Sequence, residues 1–333
     1  MSLIIDLQTY FTAAKIAKVL ETAPAIESTV FDMLFPEGVR EQYESPVIPL
    51  SEIQTVVTCL PVVQRGAESV PLHATSMDNQ YIEPLPLRVN SPLRAVDLNN
   101  LKLMGMGDKS VWVARKTLAM RRAIKMSIEA MCAQAIFDGA IDYPLLQASG
   151  QYARYKVTYN GTIATQAVAA VEKWDHADAT LATVFLLLED MASAQDKAGY
   201  GGTKAIFAGR LAYVQLLKLI EGTDRPKIPV RVNEDGSINL GGHTIRKMAE
   251  TYKDPATGTA TAKVPDKEIR MVSKGYSGFF YGPVDDLEAN LRPMPMFVKP
   301  IELRDPSEIR IVAESKPLPA VAAQATRKAV VLA

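Results

Sequence analysis

One long helix constrains the fold of this chain more than any other feature of its sequence. Between Asp108 and Asp138, apolar residues recur at helical spacing along one face; they are Val113, Met120, Ile124, Ile128, Met131 and Ala135. About 30 residues at roughly 1.5 Å each make a rod of roughly 45 Å, far longer than an average helix. The sequence therefore predicts a helix over residues 108–138, with Asp108 as its N-cap.

The opposite face of this helix is basic. Its residues are Arg115, Lys116, Arg121, Arg122 and Lys125. A basic stripe can bind nucleic acid, but no aromatic residues alternate with these charges, and the whole chain has 37 basic and 37 acidic residues. We therefore favour a face that is exposed to solvent or used between subunits, with pairs such as Lys125 with Glu129.

A long polar stretch precedes the helix. Residues 65–89 read RGAESVPLHATSMDNQYIEPLPLRV and follow a strand-like run rich in β-branched residues at Ile53–Val63. The stretch has too few apolar residues to build a core, and a two-stranded excursion is marginal in isolation. Pairing with another sheet would satisfy the edges of its strands. The sequence therefore predicts that this stretch needs a partner.

The N-terminal region is typical of an arm that docks rather than of a domain that folds alone. It combines a short helix predicted at Thr9–Glu21 with an apolar cluster of Phe31, Leu34 and Phe35. Regular structure is then interrupted by Pro36, Pro46 and Pro49.

The rest of the chain mixes helices and strands. Side chains of alternating character on both sides of a turn at Asn160-Gly161 predict a β-hairpin over Tyr155–Thr165. Beyond residue 172 the patterns predict, in order, helix Asp178–Lys197, strand Lys204–Phe207, helix Leu211–Glu221, strands around the turn at 234–236, strand 268–273, and two strands across Asp305-Pro306. This irregular order favours an α+β fold over a regular parallel sheet.

No arrangement of residues typical of an enzyme is evident. The chain has three histidines, at His73, His176 and His243. Asp175 and Asp178 flank His176 at a predicted helix start, where aspartates favour the helix dipole. The glycine-rich run at 198–204 follows a helix and precedes a strand, the reverse of a phosphate-binding loop. These patterns favour structural roles, so we predict neither catalysis nor a cofactor or metal.

Composition indicates a globular protein outside the membrane. The chain is 48% hydrophobic and 22% charged, and no apolar run reaches the length of about 18 residues that a membrane helix needs. The N-terminus lacks the pattern of a signal peptide. Cys59 and Cys132 have no metal-ligand spacing and are interpreted as buried, reduced thiols. We expect a protein made in a cytoplasm.

Several segments resemble one protein family in their sequence and in their order. They are VFDMLFPEG in the arm, IPLSEI before the first strand, AQAIFDG at the end of the long helix, VPDKEIRMVSKG, and DPSEIRIVAESKPLPAV. In these segments the chain resembles the phage major capsid protein E family, which has the Hong Kong 97-like capsid fold. The resemblance spans nearly the whole chain and rests on the order and spacing of the segments.

The resemblance implies a division into the parts of that fold. The N-terminal arm would be 1–45, the E-loop with its flanking strands 50–100, the peripheral domain 101–171 with a spine helix at 108–138, the axial domain 172–285, and the return to the peripheral domain with the C-terminal tail 286–333. Candidate contacts between subunits in the E-loop are Arg65, Glu68, His73, Asn79, Tyr81 and Glu83. Candidate charged residues of the spine helix are Arg115, Arg121, Arg122 and Lys125.

The resemblance also implies a function and partners. A protein of this family would be the major head protein of a tailed phage or prophage, and would assemble into hexamers and pentamers of an icosahedral shell around double-stranded DNA. Its expected partners are copies of itself, a scaffolding protein, a portal and in some cases a decoration protein. Assembly would take place in the cytoplasm of a bacterial host, and the product would be the virion. Two alternatives stay open: an encapsulin-type compartment and a cytoplasmic enzyme with a dispersed site.

Overall fold

The structure is a computed structural model that describes residues 18–19, 26–49, 81–94, 106–223, 227–303 and 308–333. Its helices within these ranges are α1 (Thr29–Leu34), α2 (Met106–Asp138), α3 (Leu181–Lys197) and α4 (Arg210–Glu221). Short 3-10 turns lie at Glu37–Val39, Ala170–Glu172, Leu287–Ala289 and Ala323–Ala325. No helix in the described part of the chain combines the length and hydropathy that crossing a membrane requires.

Strands make up much of the remaining described chain. They are β1 (Arg40–Gln42), β2 (Ile48–Pro49), β3 (Tyr81–Ile82), β4 (Leu87–Arg94), β5 (Ala140–Leu146), β6 (Tyr152–Thr158), β7 (Ala164–Gln166), β8 (Lys204–Ala208), β9 (Val230–Val232), β10 (Ile238–Leu240), β11 (His243–Lys247), β12 (Thr251–Lys253), β13 (Ala260–Ala262), β14 (Glu268–Ser273), β15 (Ser277–Tyr281), β16 (Phe297–Leu303), β17 (Glu308–Ser315), β18 (Pro317–Val321) and β19 (Thr326–Val330). Helices and strands mixed in this order form the predicted α+β fold.

The chain divides into two compact units. The first takes Met1–Ile48, Ile82–Glu129 and Phe279–Leu318, and the second takes Pro49–Tyr81, Ala130–Gly278 and Pro319–Ala333. Each unit therefore combines segments that are distant in the sequence.

The helix α2 buries the apolar face that its spacing predicts. Its buried side chains at the predicted positions are Met120, Ile124, Ile128, Met131 and Ala135, each at most 5% exposed; the side chain of Val113 lies outside those described. The helix starts at Met106, so Asp108 lies within its first turn and is not the N-cap. A capping residue biases a helix start, but neighbouring backbone decides it. At the other end, Gly139 follows with φ +72°, the left-handed conformation that terminates many helices.

The first unit contains a three-stranded sheet in the order β16-β17-β4. The strand β17 pairs antiparallel with β16, as the predicted C-terminal hairpin requires, and with β4 in a register that runs from Leu87↔Ser315 to Arg94↔Glu308. Ile309, Ile311 and Ala313 alternate along β17 and are buried, which is the period of two that a strand shows on its core face. The strand after the polar stretch thus joins the C-terminal part of the chain.

The second unit is built on a seven-stranded mixed sheet in the order β7-β19-β14-β8-β11-β10-β9. The helices α3 and α4 pack against this sheet, and the shared core includes Trp174, Leu188, Met191, Ile206, Leu216, Ile245, Ile269 and Met271. A buried amide also ties α3 to the sheet: Gln195 Nε2 donates to the carbonyl oxygens of Met271 at 3.0 Å and Ala325 at 2.8 Å. The predicted helices and strands of this region, from α3 to β14, are present with ends shifted by at most three residues.

The predicted hairpin over Tyr155–Thr165 is wrong. The hairpin that forms joins β5 to β6, with Ala140 opposite Thr158 and Leu146 opposite Tyr152. Gly161 does occupy a turn conformation, at φ +84°, but the strand after it, β7, pairs in parallel with β19. A local turn signal does not specify the partner of the following strand when that partner lies about 160 residues away.

Gly209 packs closely against neighbouring backbone in the second unit. A Cβ placed there would lie 2.0 Å from the Pro265 carbonyl oxygen and 2.8 Å from Asp266 Cα. The Gly209 N–H donates to the Glu268 carbonyl at 2.9 Å, and the Ala212 N–H donates to that of Asp266 at 2.9 Å. The start of α4 therefore packs directly on the backbone that leads into β14.

We predict that Gly209→Ala lowers the free energy of unfolding by roughly 2–4 kcal/mol, because backbone atoms must move to admit the methyl group. Gly38→Ala is the matched control, since a Cβ there meets nothing within 4 Å. Urea denaturation of the two variants measures the difference. Equal stability of both variants would contradict the close approach at Gly209.

Candidate assembly elements

A buried glutamate attaches the N-terminal arm to α2. Glu129 is 7% exposed, and its Oε1 and Oε2 accept hydrogen bonds from the backbone N–H groups of Val30 at 2.9 Å and Phe31 at 2.7 Å. These N–H groups belong to the first turn of α1, where the helix itself offers no acceptor. One carboxylate therefore satisfies two donors and connects the arm to the long helix.

An ion pair reinforces this attachment. Lys125 Nζ donates to Asp32 Oδ2 at 2.9 Å and also to the Ile26 carbonyl. Asp32 accepts a further hydrogen bond from the Ser28 N–H at 2.9 Å. Burial raises the pKa of the Asp32 carboxyl, but the bonds from Lys125 and Ser28 outweigh burial, so its pKa lies below the ordinary value of 3.8.

Lys125 and Glu129 thus bind the arm, which differs from the predicted pair between them. The two residues lie one turn apart on α2, as the prediction requires. However, a carboxylate that accepts two buried N–H bonds is better stabilised than one that faces an exposed lysine. The spacing identified both side chains but assigned them to each other.

An aromatic cluster completes the docking of the arm. The rings of Phe31 and Phe35 meet that of Phe279 edge-on, at centroid distances of 4.9 and 5.9 Å. The Arg40 guanidinium lies 3.9 Å from the centroid of the Phe31 ring, and Arg40 leads β1, which pairs in parallel with β15 opposite Phe279. The predicted apolar cluster of the arm is therefore a docking surface within the first unit.

The segment between Pro49 and Tyr81, which includes most of the polar stretch, begins and ends at one short ribbon. The strands β2 and β3 pair with each other, so the chain leaves at Pro49 and returns at Tyr81. Tyr81 is 63% exposed, and Glu83 is also exposed. The other four predicted contact residues of this stretch lie outside the described residues; they are Arg65, Glu68, His73 and Asn79.

An ion pair with a buried carboxylate joins the returning strand to the C-terminal hairpin. Arg88 on β4 stands opposite Glu314 on β17, and Arg88 Nε lies 2.7 Å from Glu314 Oε2. The Glu314 side chain is 2% exposed. A cation bonded to a buried carboxylate offsets the cost of burying it, so this ion pair favours the register that places Arg88 opposite Glu314.

The basic residues of α2 lie in different environments. Arg115 and Arg122 are exposed, Arg121 is half-buried, and Lys125 is half-buried and engaged by the arm. The structure therefore does not present the four predicted residues as one uniform charged face. Arg115 and Arg122 remain its accessible charges in the described part of the helix.

The two described histidines, His176 and His243, and the glycine-rich run take part in the local structure of turns and strands. His243 lies on β11, as predicted, and its Nε2 is 2.8 Å from Glu189 Oε1. His176 Nδ1 accepts from the Asp178 N–H at 3.2 Å in the turn before α3, and Thr180 rather than either aspartate caps that helix. Gly199 and Gly202 have positive φ in the turn that ends α3. Among the described residues, no cluster of His, Cys, Asp and Glu could hold a metal ion.

Comparison with known proteins decides the family. The family model for phage major capsid protein E matches residues 12–331. This chain belongs to the phage major capsid protein E family. It is therefore a structural capsid protein of a phage or prophage, a component of the virion that forms a shell with copies of itself. This confirms the family resemblance that the ordered segments predict.

Solved structures agree on the fold. A crystal structure of a prophage protein from Escherichia coli CFT073, assigned as a capsid protein, is 16% identical with a TM-score of 0.63, and the match covers 96% of this chain and 99% of that one. The capsid protein of an empty GTA particle is 16% identical, with a TM-score of 0.46 and coverage of 97% and 99%. The SrpI encapsulin of Synechococcus elongatus PCC 7942 is 9% identical, with a TM-score of 0.45 and coverage of 95% and 95%. This capsid subunit has the predicted Hong Kong 97-like fold, as its family and the match at a TM-score of 0.63 show. A search of curated proteins found no match.

Sequence patterns did not reveal the partners of the residues that hold the arm and the returning strand of this capsid subunit. Asp32 and Lys125 are 93 residues apart, Phe31 and Glu129 are 98 apart, and Arg88 and Glu314 are more than 200 apart. A charged residue on the apolar side of α2, as Glu129 is, was the available signal. Its partners could not be read from one sequence.

We predict that Glu129→Ala destabilises the docked arm by about 1–3 kcal/mol, because two N–H donors lose their charged acceptor. Glu129→Gln keeps one acceptor oxygen and should lose less. Hydrogen exchange of the amides of Val30 and Phe31 measures the effect. Ser127→Ala is the control on the same helix, since Ser127 Oγ bonds only its own helix among the described contacts; unchanged exchange in Glu129→Ala would contradict the role of this carboxylate.

We also predict that the arm loosens at acid pH. The folded-state pKa of Asp32 is lowered, so its contribution is fully present above about 3.8, the unfolded value, and is lost as pH falls through the folded pKa. Hydrogen exchange in α1 between pH 5 and 2 should show this loss, and Asp32→Asn should remove that part of the pH dependence. The same dependence in Asp32→Asn and wild type would exclude Asp32 as its source.

Proposed function

We propose that this chain is the major head protein of a tailed phage or prophage and assembles into hexamers and pentamers of an icosahedral shell around double-stranded DNA. Membership of the phage major capsid protein E family carries this proposal. The balance of 37 basic and 37 acidic residues fits a shell that encloses DNA without binding particular sequences. We propose no catalytic activity for it.

We propose that the chain is divided into the parts of a capsid subunit. The N-terminal arm is 1–45, the E-loop with its flanking strands is 50–100, the peripheral domain comprises 101–171 and 286–333, and the axial domain is 172–285. Support for the arm comes from the contacts of Glu129 and Lys125 with α1. Support for the E-loop comes from the ribbon of β2 and β3, which brings together Pro49 and Tyr81, the two ends of the segment between these strands.

We propose that the E-loop binds a neighbouring subunit. Tyr81 and Glu83 are exposed where the stretch returns, and strands without a sheet of their own gain stability by adding to one. The proposed contacts are Arg65, Glu68, His73, Asn79, Tyr81 and Glu83, and on the spine helix Arg115, Arg121 and Arg122. Lys125 is better explained by its bond to Asp32. Many modest contacts of this kind, repeated around each subunit, add up to a stable shell.

Further partners follow from the proposed role. We propose a separate scaffolding protein, a portal through which DNA enters, and a decoration protein as an optional addition. Assembly would occur in the cytoplasm of the bacterial host. These partners are inferred from the role of the particle and not from any site in the described residues.

Expression of the chain with and without its scaffolding protein tests the proposal. We expect assemblies of megadalton size, seen as rings, tubes or shells by size exclusion and negative-stain microscopy. A monodisperse monomer under all conditions would overturn the proposed function. Co-purification of a tagged cargo enzyme instead of DNA would favour an encapsulin-type compartment.

Replacement of residues 66–79 by a Gly-Ser linker of equal length tests the E-loop. The replacement leaves β2 and β3 intact, so the subunit should keep its circular dichroism and its thermal midpoint. Assembly should be abolished, because the partners of the segment lie in another chain. Loss of folding in the isolated subunit would show that these partners lie within the same chain.

A further inference from the structure

Two leucines stand in solvent on a short loop of the first unit. Leu287 is 85% exposed and Leu291 is 55% exposed, in the loop 282–296 that joins β15 to β16. Leu287 has the highest exposure among the large apolar side chains of the described residues. Single exposed leucines are ordinary on protein surfaces, but two side chains held out by one compact loop form a small apolar patch.

The backbone of this loop adopts a conformation that leucine rarely accepts. Asn290 has φ 52° and Leu291 has φ 53°, and these two are the described non-glycine residues with positive φ. Asparagine tolerates the left-handed region, whereas a leucine there brings its Cβ close to backbone oxygen. Strain of this kind persists where the surrounding structure enforces it, and it concentrates at functional positions.

Ion pairs and hydrogen bonds make the loop rigid. Lys299 Nζ on β16 lies 2.6 Å from Asp286 Oδ2 and 3.3 Å from Glu288 Oε1. The Asp286 carboxylate also accepts from the Glu288 N–H at 2.9 Å, and the Asp286 carbonyl accepts from the N–H groups of Ala289 and Leu291 at 3.1 and 3.3 Å. Bonds to Lys299 and Glu288 outweigh burial and lower the pKa of Asp286. The loop is thus held in one shape before any partner arrives.

The base of the loop is closed as well. Pro283 and Pro293 form an isolated antiparallel bridge, and the Val284 N–H donates to the Arg292 carbonyl at 3.2 Å. Ala289 is buried under the turn, at 4% exposed. This construction orders the backbone yet leaves Leu287 almost fully exposed and Leu291 about half exposed, so burial of these side chains does not explain why the strain is kept.

We propose that Leu287 and Leu291 form a preorganised apolar knob that inserts into a second copy of this chain during shell assembly. The inference rests on the proposed function, because membership of a capsid family makes a second copy the partner of exposed apolar surface. Charge does not oppose this occupant: the carboxylates of Asp285 and Glu288 beside the knob pair with Lys316 and Lys299, and Arg292 of the same loop is exposed. The knob therefore carries no excess of one charge that would repel an identical chain. A rigid knob binds with little loss of conformational entropy, and two leucines packed into a pocket would serve as an anchor of the contact.

The double variant Leu287→Ser/Leu291→Gly tests the knob. Glycine accepts positive φ without strain, so the free subunit should unfold at the same temperature as wild type or a higher one. The fraction of protein in shells, measured by size exclusion and electron microscopy, should fall at least about ten-fold, as expected when an interface anchor is lost. Leu287→Met is the matched control, since it keeps the apolar volume and should assemble like wild type.

The outcomes separate the knob from the proposed function. Wild-type protein that forms no assemblies would overturn the proposed function, and the proposal of the knob, which rests on it, would be rejected as well. Wild type that assembles while the double variant assembles equally well overturns the knob alone. If the double variant does not fold, hydrogen exchange of wild-type protein decides: amides of 287–291 must exchange more slowly in shells than in free subunits, and equal exchange overturns the proposal.

Discussion

The burial of one face of α2 is the constraint on which the described structure depends. Met120, Ile124, Ile128, Met131 and Ala135 lie along 16 residues of helix and are almost fully buried. At about 25 cal/mol per Å² of apolar surface, side chains of this size contribute roughly 1.5–3 kcal/mol each when removed from water, with alanine less. Most of the stability of a helix in a protein comes from packing of its apolar face rather than from helix propensity, so this burial keeps α2 ordered.

Polar contacts along the same helix then determine what binds it. Glu129 stands next to the apolar face and accepts two backbone N–H groups from the arm, while Lys125 holds Asp32 one turn earlier. Hydrophobic burial is not directional, whereas these bonds specify both position and orientation. The arm is therefore held by directional hydrogen bonds as well as by buried apolar surface. A protein that assembles from identical copies needs such fixed geometry, because every copy must present the same surface.

Much of the fold could be predicted because its signals are local. The period of α2, the helices α3 and α4, and the strands of the C-terminal hairpin follow from spacings within a few residues. The candidate assembly elements stay predictions: the ribbon of β2 and β3 agrees with a segment that returns to its starting point, but the four basic residues predicted on α2 do not form one uniform charged face. Four of the six predicted E-loop contacts lie outside the described residues, so they stay predictions. The hairpin at Tyr155–Thr165 failed because the turn at Gly161 is local but the partner of β7 is not.

Patterns along the chain were enough to predict the α+β class, the long helix and, through the order of its segments, the capsid family. Those properties depend on which residues are neighbours along the chain. Three other facts are evident only in the folded chain: β4 pairs with β17, Glu129 bonds to the arm and not to Lys125, and Leu287 and Leu291 stand in solvent on a strained turn. The first two facts depend on contacts between residues that are about 100 to more than 200 positions apart, and the third depends on backbone angles that residue type only biases. Packing and hydrogen bonding in three dimensions therefore had to specify them.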